Sequence, residues 1–170
     1  MTGHSLGGSL AQRYAINFPG SIQQVVTFNA AGISPSEVNN FKQNGGGSFT
    51  TTHYVVEGDA VSLAGQFIPG DAYLMSFTTS YDFWNKHNKI FVEGGLLNNP
   101  DVRANPLPVD VLNSPNFHYS NPGYVATVFV LSRHPLLHSI GKGLTNRGSA
   151  EGTRSLIGNV INLFPGQKYG

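Results

Sequence analysis

The run Gly3-His4-Ser5-Leu6-Gly7-Gly8 sets a serine two residues from a glycine on either side. In a G-x-S-x-G pattern the serine occupies a sharp turn from a strand into a helix, where its hydroxyl stands clear of the backbone and can attack an acyl carbon. The residue at such a turn adopts a sparsely allowed backbone conformation. Side chains at positions 3 or 7 are expected to crowd the adjoining strand and helix. A serine hydroxyl is a weak nucleophile, so it needs a base within hydrogen-bond reach and a third group that orients the base. The competing reading of the same residues is a glycine-rich helix start in which Ser5 only caps the helix.

For the orienting acid the residues point to Asp59. It lies in a Gly58-Asp59 turn directly after the β-branched run at 51–57, so its carboxylate would project from the strand's C-terminal end toward the serine turn. Asp71, Asp82, Asp101 and Asp110 are in loop-rich sequence. Six histidines compete for the base: His4, His53, His87, His118, His134 and His138. His4 is inside the turn and cannot swing back to serve Ser5, and His53 falls within a predicted strand. A base that accepts the serine proton while the acid holds its other nitrogen is expected in a loop after the last strand. His138 fits that position best, because the apolar run at 124–131 reads as the last strand. His118 is the alternative, and His134, restricted by Pro135, comes third. The unchosen histidines, His87 included, are expected as solvated or capping loop residues.

The elements that must position these residues follow a strand and helix alternation. Leu6, Leu10, Tyr14 and Phe18 recur at i+4 spacing and predict a helix starting after Ser5 and stopping at Pro19-Gly20, with these four side chains as its apolar stripe. Residues 22–29 predict a buried strand, and Ser34 or Ser36 can cap a helical turn or two containing Glu37, Val38 and Phe41. After the flexible run at 44–48 comes the second strand, at 51–57. This is the rhythm of a parallel α/β sheet. The stretch at about 65–121, with β-like pieces at 72–77 and 89–92, reads as a loop-rich insertion or an edge hairpin. A terminal helix is expected at about 151–164.

Three blocks together carry a family resemblance: Thr2-Gly3-His4-Ser5-Leu6-Gly7-Gly8-Ser9-Leu10-Ala11, Val26-Thr27-Phe28-Asn29-Ala30-Ala31-Gly32 and Val55-Val56-Glu57-Gly58-Asp59-Ala60-Val61-Ser62. They resemble the C-terminal half of class 3 (fungal-type) lipases of the α/β-hydrolase fold, over roughly residues 2–70 and only loosely beyond. The resemblance implies Ser5 as nucleophile, Asp59 as acid, and an ester substrate of lipid type. The neighbours of His118 also resemble the histidine segment of that family. The backbone N–H of Leu6, at the start of the helix, is one expected oxyanion donor. Since only Met1-Thr2 precede Gly3, the strand leading into the turn and the second oxyanion donor are expected to be missing. Residues 1–170 are then a single partial domain, an α/β-hydrolase-like parallel sheet truncated just before the nucleophile turn.

Composition removes other classes. Ten Lys and Arg against nine Asp and Glu leave a formal charge of +1, which is no footprint for nucleic acid. With no cysteine, neither thiol catalysis nor a Cys-ligated metal is possible. No His-x-x-x-His pair lies on a predicted helix, so no metal site and no cofactor are expected. The chain does not open on an export signal, and no apolar run approaches the ~20 residues that span a bilayer. Localisation and oligomeric state stay open. The expected partner is a lipid or small ester, with transient contact to a membrane or lipid-droplet surface. The leading expectation is a lipase-like serine ester hydrolase working through Ser5, Asp59 and His138. The alternatives are a non-catalytic truncated fragment or pseudoenzyme, and the same fold turned to a thioester or peptide.

Overall fold

A computed structural model of the chain describes residues 1–77, 86–88, 99–114 and 117. Among these residues five strands, β1 (Thr2–His4), β2 (Gln24–Phe28), β3 (Thr50–Val56), β4 (Asp71–Phe77) and β5 (Val102–Pro108), form one sheet in that spatial order. The first four run parallel and β5 runs antiparallel to β4. Helices α1 (Leu6–Asn17) and α2 (Pro35–Gln43) make the crossovers from β1 to β2 and from β2 to β3, and a single turn, α3 (Val109–Leu112), follows β5. The chain is therefore an α/β structure built on a mostly parallel sheet, as the alternation of elements predicts.

The strand leading into Ser5, expected to be missing, is present in three residues. β1 pairs Thr2 with Val26, Gly3 with Thr27 and His4 with Phe28, and the Met1 carbonyl accepts the Val26 N–H at 2.9 Å. Parallel pairing with β2 supplies the support that residue pattern alone could not show over so short a run. Within the stretch read as an insertion or edge hairpin, the structure builds β4 inside the sheet and β5 at its edge among the described residues. Pro106 and Pro108 suit that edge, since a proline cannot donate to a further strand. The pieces expected at 89–92, 124–131 and 151–164 lie outside the described residues.

Side-chain alternation divides the sheet into two faces. Thr27, His53 and Ala72 are register partners on one face, as are Val55 and Leu74. Val55, Ala72 and Leu74 pack with Leu63, Phe67, Val109, Leu112 and Phe117, while Val25 meets Ala11 and Ala15 of α1. The other face carries Phe28, Tyr54 and Tyr73, stacked ring on ring at 5.3 Å across three strands. Such offset aromatic contacts add to burial in holding neighbouring strands in register.

Helix α1 has the predicted bounds but presents the opposite face. Leu10, Tyr14 and Phe18 are exposed, and the buried residues are Gly8, Ser9, Ala11, Gln12 and Ala15. Close approach at the start of the helix is one reason: a Cβ on residue 8 would overlap the methyl of Ala30, just after β2, so no larger residue fits there. Gln12, fully buried, answers this proximity with its amide. It donates to the Gly8 and Ala31 carbonyls at 3.3 Å each and accepts the Ile68 N–H at 3.2 Å. Of the two candidate caps for α2 the structure uses Ser34, whose hydroxyl accepts the Glu37 N–H while Glu37 accepts the Ser34 N–H, a reciprocal capping box.

His53, in β3, is fully buried. Its Nε2–H donates to the Ile68 carbonyl at 3.0 Å, which leaves Nδ1 to accept the Thr27 hydroxyl at 2.7 Å. Burial pushes its pKa down to about 4, because an imidazolium would lose its hydration there. This histidine is a neutral core residue that ties β2, β3 and the chain entering β4 together.

Candidate active site

Ser5 has φ 56° and ψ −127°, a left-handed conformation that a residue with a Cβ rarely adopts. Strain of this kind costs on the order of 1–3 kcal/mol and persists only where the surroundings over-determine it. Here they do. The Ser5 N–H donates to the Phe28 carbonyl at 3.1 Å, and the Ser5 carbonyl accepts from Gly8 at 3.1 Å and Ala31 at 3.2 Å. A Cβ on residue 3 would overlap the Gly7 carbonyl, so glycine is required before the turn. After the turn the expectation needs correcting. Residue 7 has open space around its Cα, and the crowded position is Gly8, against Ala30.

The capping reading of Ser5 fails on geometry, since its side chain makes no cap hydrogen bond to the helix it precedes. The hydroxyl is thus not committed to the backbone of α1. Leu6, the first residue of that helix, has a first-turn N–H with no intrahelical acceptor, at the positive end of the helix dipole. That placement matches the expected oxyanion donor.

Asp59 follows β3 and is 1% exposed. The turn that carries it needs Gly58, which has φ +84°. Its Oδ2 accepts the Ser62 N–H at 2.9 Å and its Oδ1 the Val61 N–H at 3.3 Å, while its own N–H donates to the Val56 carbonyl at 3.0 Å. The carboxylate is aimed by backbone, and what it is aimed at is His87. Nδ1 of His87 lies 2.9 Å from Oδ1, with both side chains almost wholly buried. A carboxylate accepts, so Nδ1 carries the hydrogen, and in the neutral ring Nε2 then holds the lone pair. His87 is therefore no solvated loop residue. It is the imidazole that the acid holds. The predicted bases His138, His118 and His134 lie outside the described residues.

His4, the last residue of β1, stands against the same imidazole. The two rings are 4.6 Å apart at 34°, and the His4 Nε2–H donates to the His87 carbonyl at 3.3 Å. Burial first, and then the neighbouring His87, lower the pKa of His4. Asn29 completes the arrangement from the end of β2, donating from Nδ2 to the His87 carbonyl at 2.7 Å and to that of Lys86 at 3.3 Å. Residue spacing missed both His87 and Asn29. For His87 the usable signal was positional, since it is the first histidine after β4, the last parallel strand among the described residues. For Asn29 it was an asparagine at a strand's C-terminal end, where left-handed backbone is tolerated.

The site thus brings together a strained serine outside any capping bond, an amide at a helix start, and a buried carboxylate-imidazole pair, all at the C-terminal ends of parallel strands, the usual location of sites in open α/β sheets. Among the described residues no group of three or more His, Cys, Asp or Glu side chains could hold a metal ion, and no helix is long and apolar enough to cross a membrane. No protein-family model matches the chain, and neither a curated protein nor a solved structure matches it.

Proposed function

We propose that this chain is a serine ester hydrolase of the lipase type, acting on a lipid or other carboxylic ester through an acyl-enzyme. One observation carries the reading. The buried Asp59–His87 pair and the strained Ser5 are tied to the same four residues, 28–31. Ser5 bonds to Phe28 and Ala31 through its backbone, and Asn29, between them, bonds to the His87 carbonyl. We assign the base to His87, and His138 and His118 enter the tests as variants.

In this reading Nε2 of His87 takes the Ser5 hydroxyl proton as Oγ attacks the ester carbonyl, and the Leu6 N–H stabilises the oxyanion. Asp59 holds the imidazole in the tautomer that can accept and stabilises the imidazolium that forms. Collapse breaks the ester C–O bond, and the alcohol leaves with the proton from Nε2. Water then gives a proton to Nε2 and attacks the acyl-serine, the acid departs, and Ser5 regains its hydrogen. No cofactor takes part. Acyl-chain and alcohol preference are outcomes for assay with esters of graded length.

Hydrolysis of short p-nitrophenyl esters tests the reading. The wild-type chain turns them over, Ser5→Ala abolishes turnover, and Asp59→Asn lowers kcat by about 10³–10⁴-fold, the scale on which other triads depend on the orienting carboxylate. Absence of turnover by the folded wild-type chain overturns the proposal in favour of a non-catalytic member of the same fold. Turnover unchanged in Ser5→Ala assigns the activity elsewhere.

A further inference from the structure

Asn29 is fully buried and has φ 42°, one of two described non-glycine residues with positive φ, the other being Ser5. Asparagine is the side chain that tolerates this conformation best, but tolerance does not explain what its amide does. Its Oδ1 accepts the Val56 N–H at 2.7 Å, at the end of β3. Its Nδ2 donates to the His87 carbonyl at 2.7 Å. The Val56 carbonyl in turn accepts the Asp59 N–H at 3.0 Å. One amide therefore spans both halves of the acid-imidazole pair, reaching the acid through Val56 and the base through the carbonyl of its own residue. The His4 Nε2–H, from the residue before Ser5, reaches the same carbonyl.

We infer that Asn29 is a positioning residue that sets the imidazole of His87 at its working distance from Asp59, with His4 as a second tie from the serine turn. The amide is required in kind. An aspartate of the same shape could still accept from Val56 but would confront the His87 and Lys86 carbonyls with oxygen in place of two N–H donors. A glycine would relax the backbone and release the tie. Either change leaves the Ser5 turn and its helix in place while freeing the segment that carries the base. Misplacement of a reacting group by about 1 Å costs on the order of 10²-fold in rate.

This inference rests on the esterase reading, and its test separates the two. Wild type, Asn29→Asp and Asn29→Gly are compared for kcat and KM on a p-nitrophenyl ester, for the pH profile of kcat/KM, and for the downfield proton signal of the His87 Nδ1–H bonded to Asp59, assigned by its loss in His87→Gln. Both variants are expected to lose about 10²-fold in kcat with KM within about twofold, to shift the acid limb of the pH profile, and to lose or exchange-broaden the signal. The glycine variant relieves the positive φ, so it serves where the aspartate variant does not fold. If the folded variants keep kcat within about twofold and keep the signal, the inference is overturned. If wild type hydrolyses nothing yet the signal depends on Asn29, the tie stands and the esterase reading falls.

Discussion

Acidification should destabilise this fold through one buried side chain, and the size of the effect follows from its surroundings. His53 is held neutral in the core, with the Thr27 hydroxyl on one nitrogen, the Ile68 carbonyl on the other and the Phe67 ring at 4.9 Å. Its pKa falls from 6.5 to about 4 in the folded chain. Between those values the unfolded chain binds a proton at this histidine and the folded chain does not. Stability is therefore fully present above pH 6.5 and is lost as the pH falls toward about 4. By linkage the loss is about 2 kcal/mol at pH 5 and about 3 kcal/mol once the window is crossed. The perturbation is His53→Gln, which removes the titration while its amide can still donate to Ile68. Urea unfolding is followed at pH 7.5, 6.5, 5.5 and 4.5 for both proteins. The variant starts less stable, because the Thr27 bond is gone, but its stability falls less with pH, so the difference between the two proteins changes by about 2–3 kcal/mol from pH 7.5 to 4.5. Parallel curves would refute the reasoning, since the pH dependence would then belong to other groups.

Four substitutions in the helix that follows Ser5, with one opposite it, test its packing. Gly8→Ala should cost about 1–3 kcal/mol by forcing a methyl against Ala30, and Ala30→Gly in the same chain should recover part of it. Gly7→Ala, with open space around it, should be neutral or raise stability by up to about 1 kcal/mol; urea midpoints distinguish the two. Leu10→Gln, on the exposed face, should change stability by no more than about 0.5 kcal/mol, whereas Ala11→Leu, on the buried face, should cost about 1–3 kcal/mol. The reverse order would return α1 to the orientation its apolar stripe suggests.

The serine turn, the carboxylate after β3 and the bounds of α1 were legible in the sequence because each is local. Glycine spacing around Ser5, a β-branched run ending in Gly58-Asp59 and the stop at Pro19-Gly20 all act within a few residues. What escaped depends on contacts between distant segments. His87 is 28 residues from Asp59, and nothing in its neighbours announces the pairing. The sequence places the base in a loop after the apolar run at 124–131, which lies outside the described residues, whereas His87 comes between β4 and β5, in a stretch that reads as an insertion. The face of α1 was misread for a related reason. Periodicity ranks side chains by apolarity, whereas the close approach of Gly8 to Ala30 selects them by size. β1, at three residues, is too short for any alternation to declare itself, and its partner β2 lies a whole helix away.

Covalent labelling at Ser5 tests the central claim most directly. The folded chain is incubated with a fluorophosphonate, digested with trypsin, and the peptide ending at Arg13 is read by mass spectrometry. The expected result is an adduct on Ser5 in wild type, none after denaturation, a rate at least about 10²-fold lower in His87→Ala, and wild-type rates in His118→Ala and His138→Ala. No adduct on Ser5 in the folded wild-type chain, or labelling that ignores His87 and follows His138, would contradict the Ser5, His87 and Asp59 assignment.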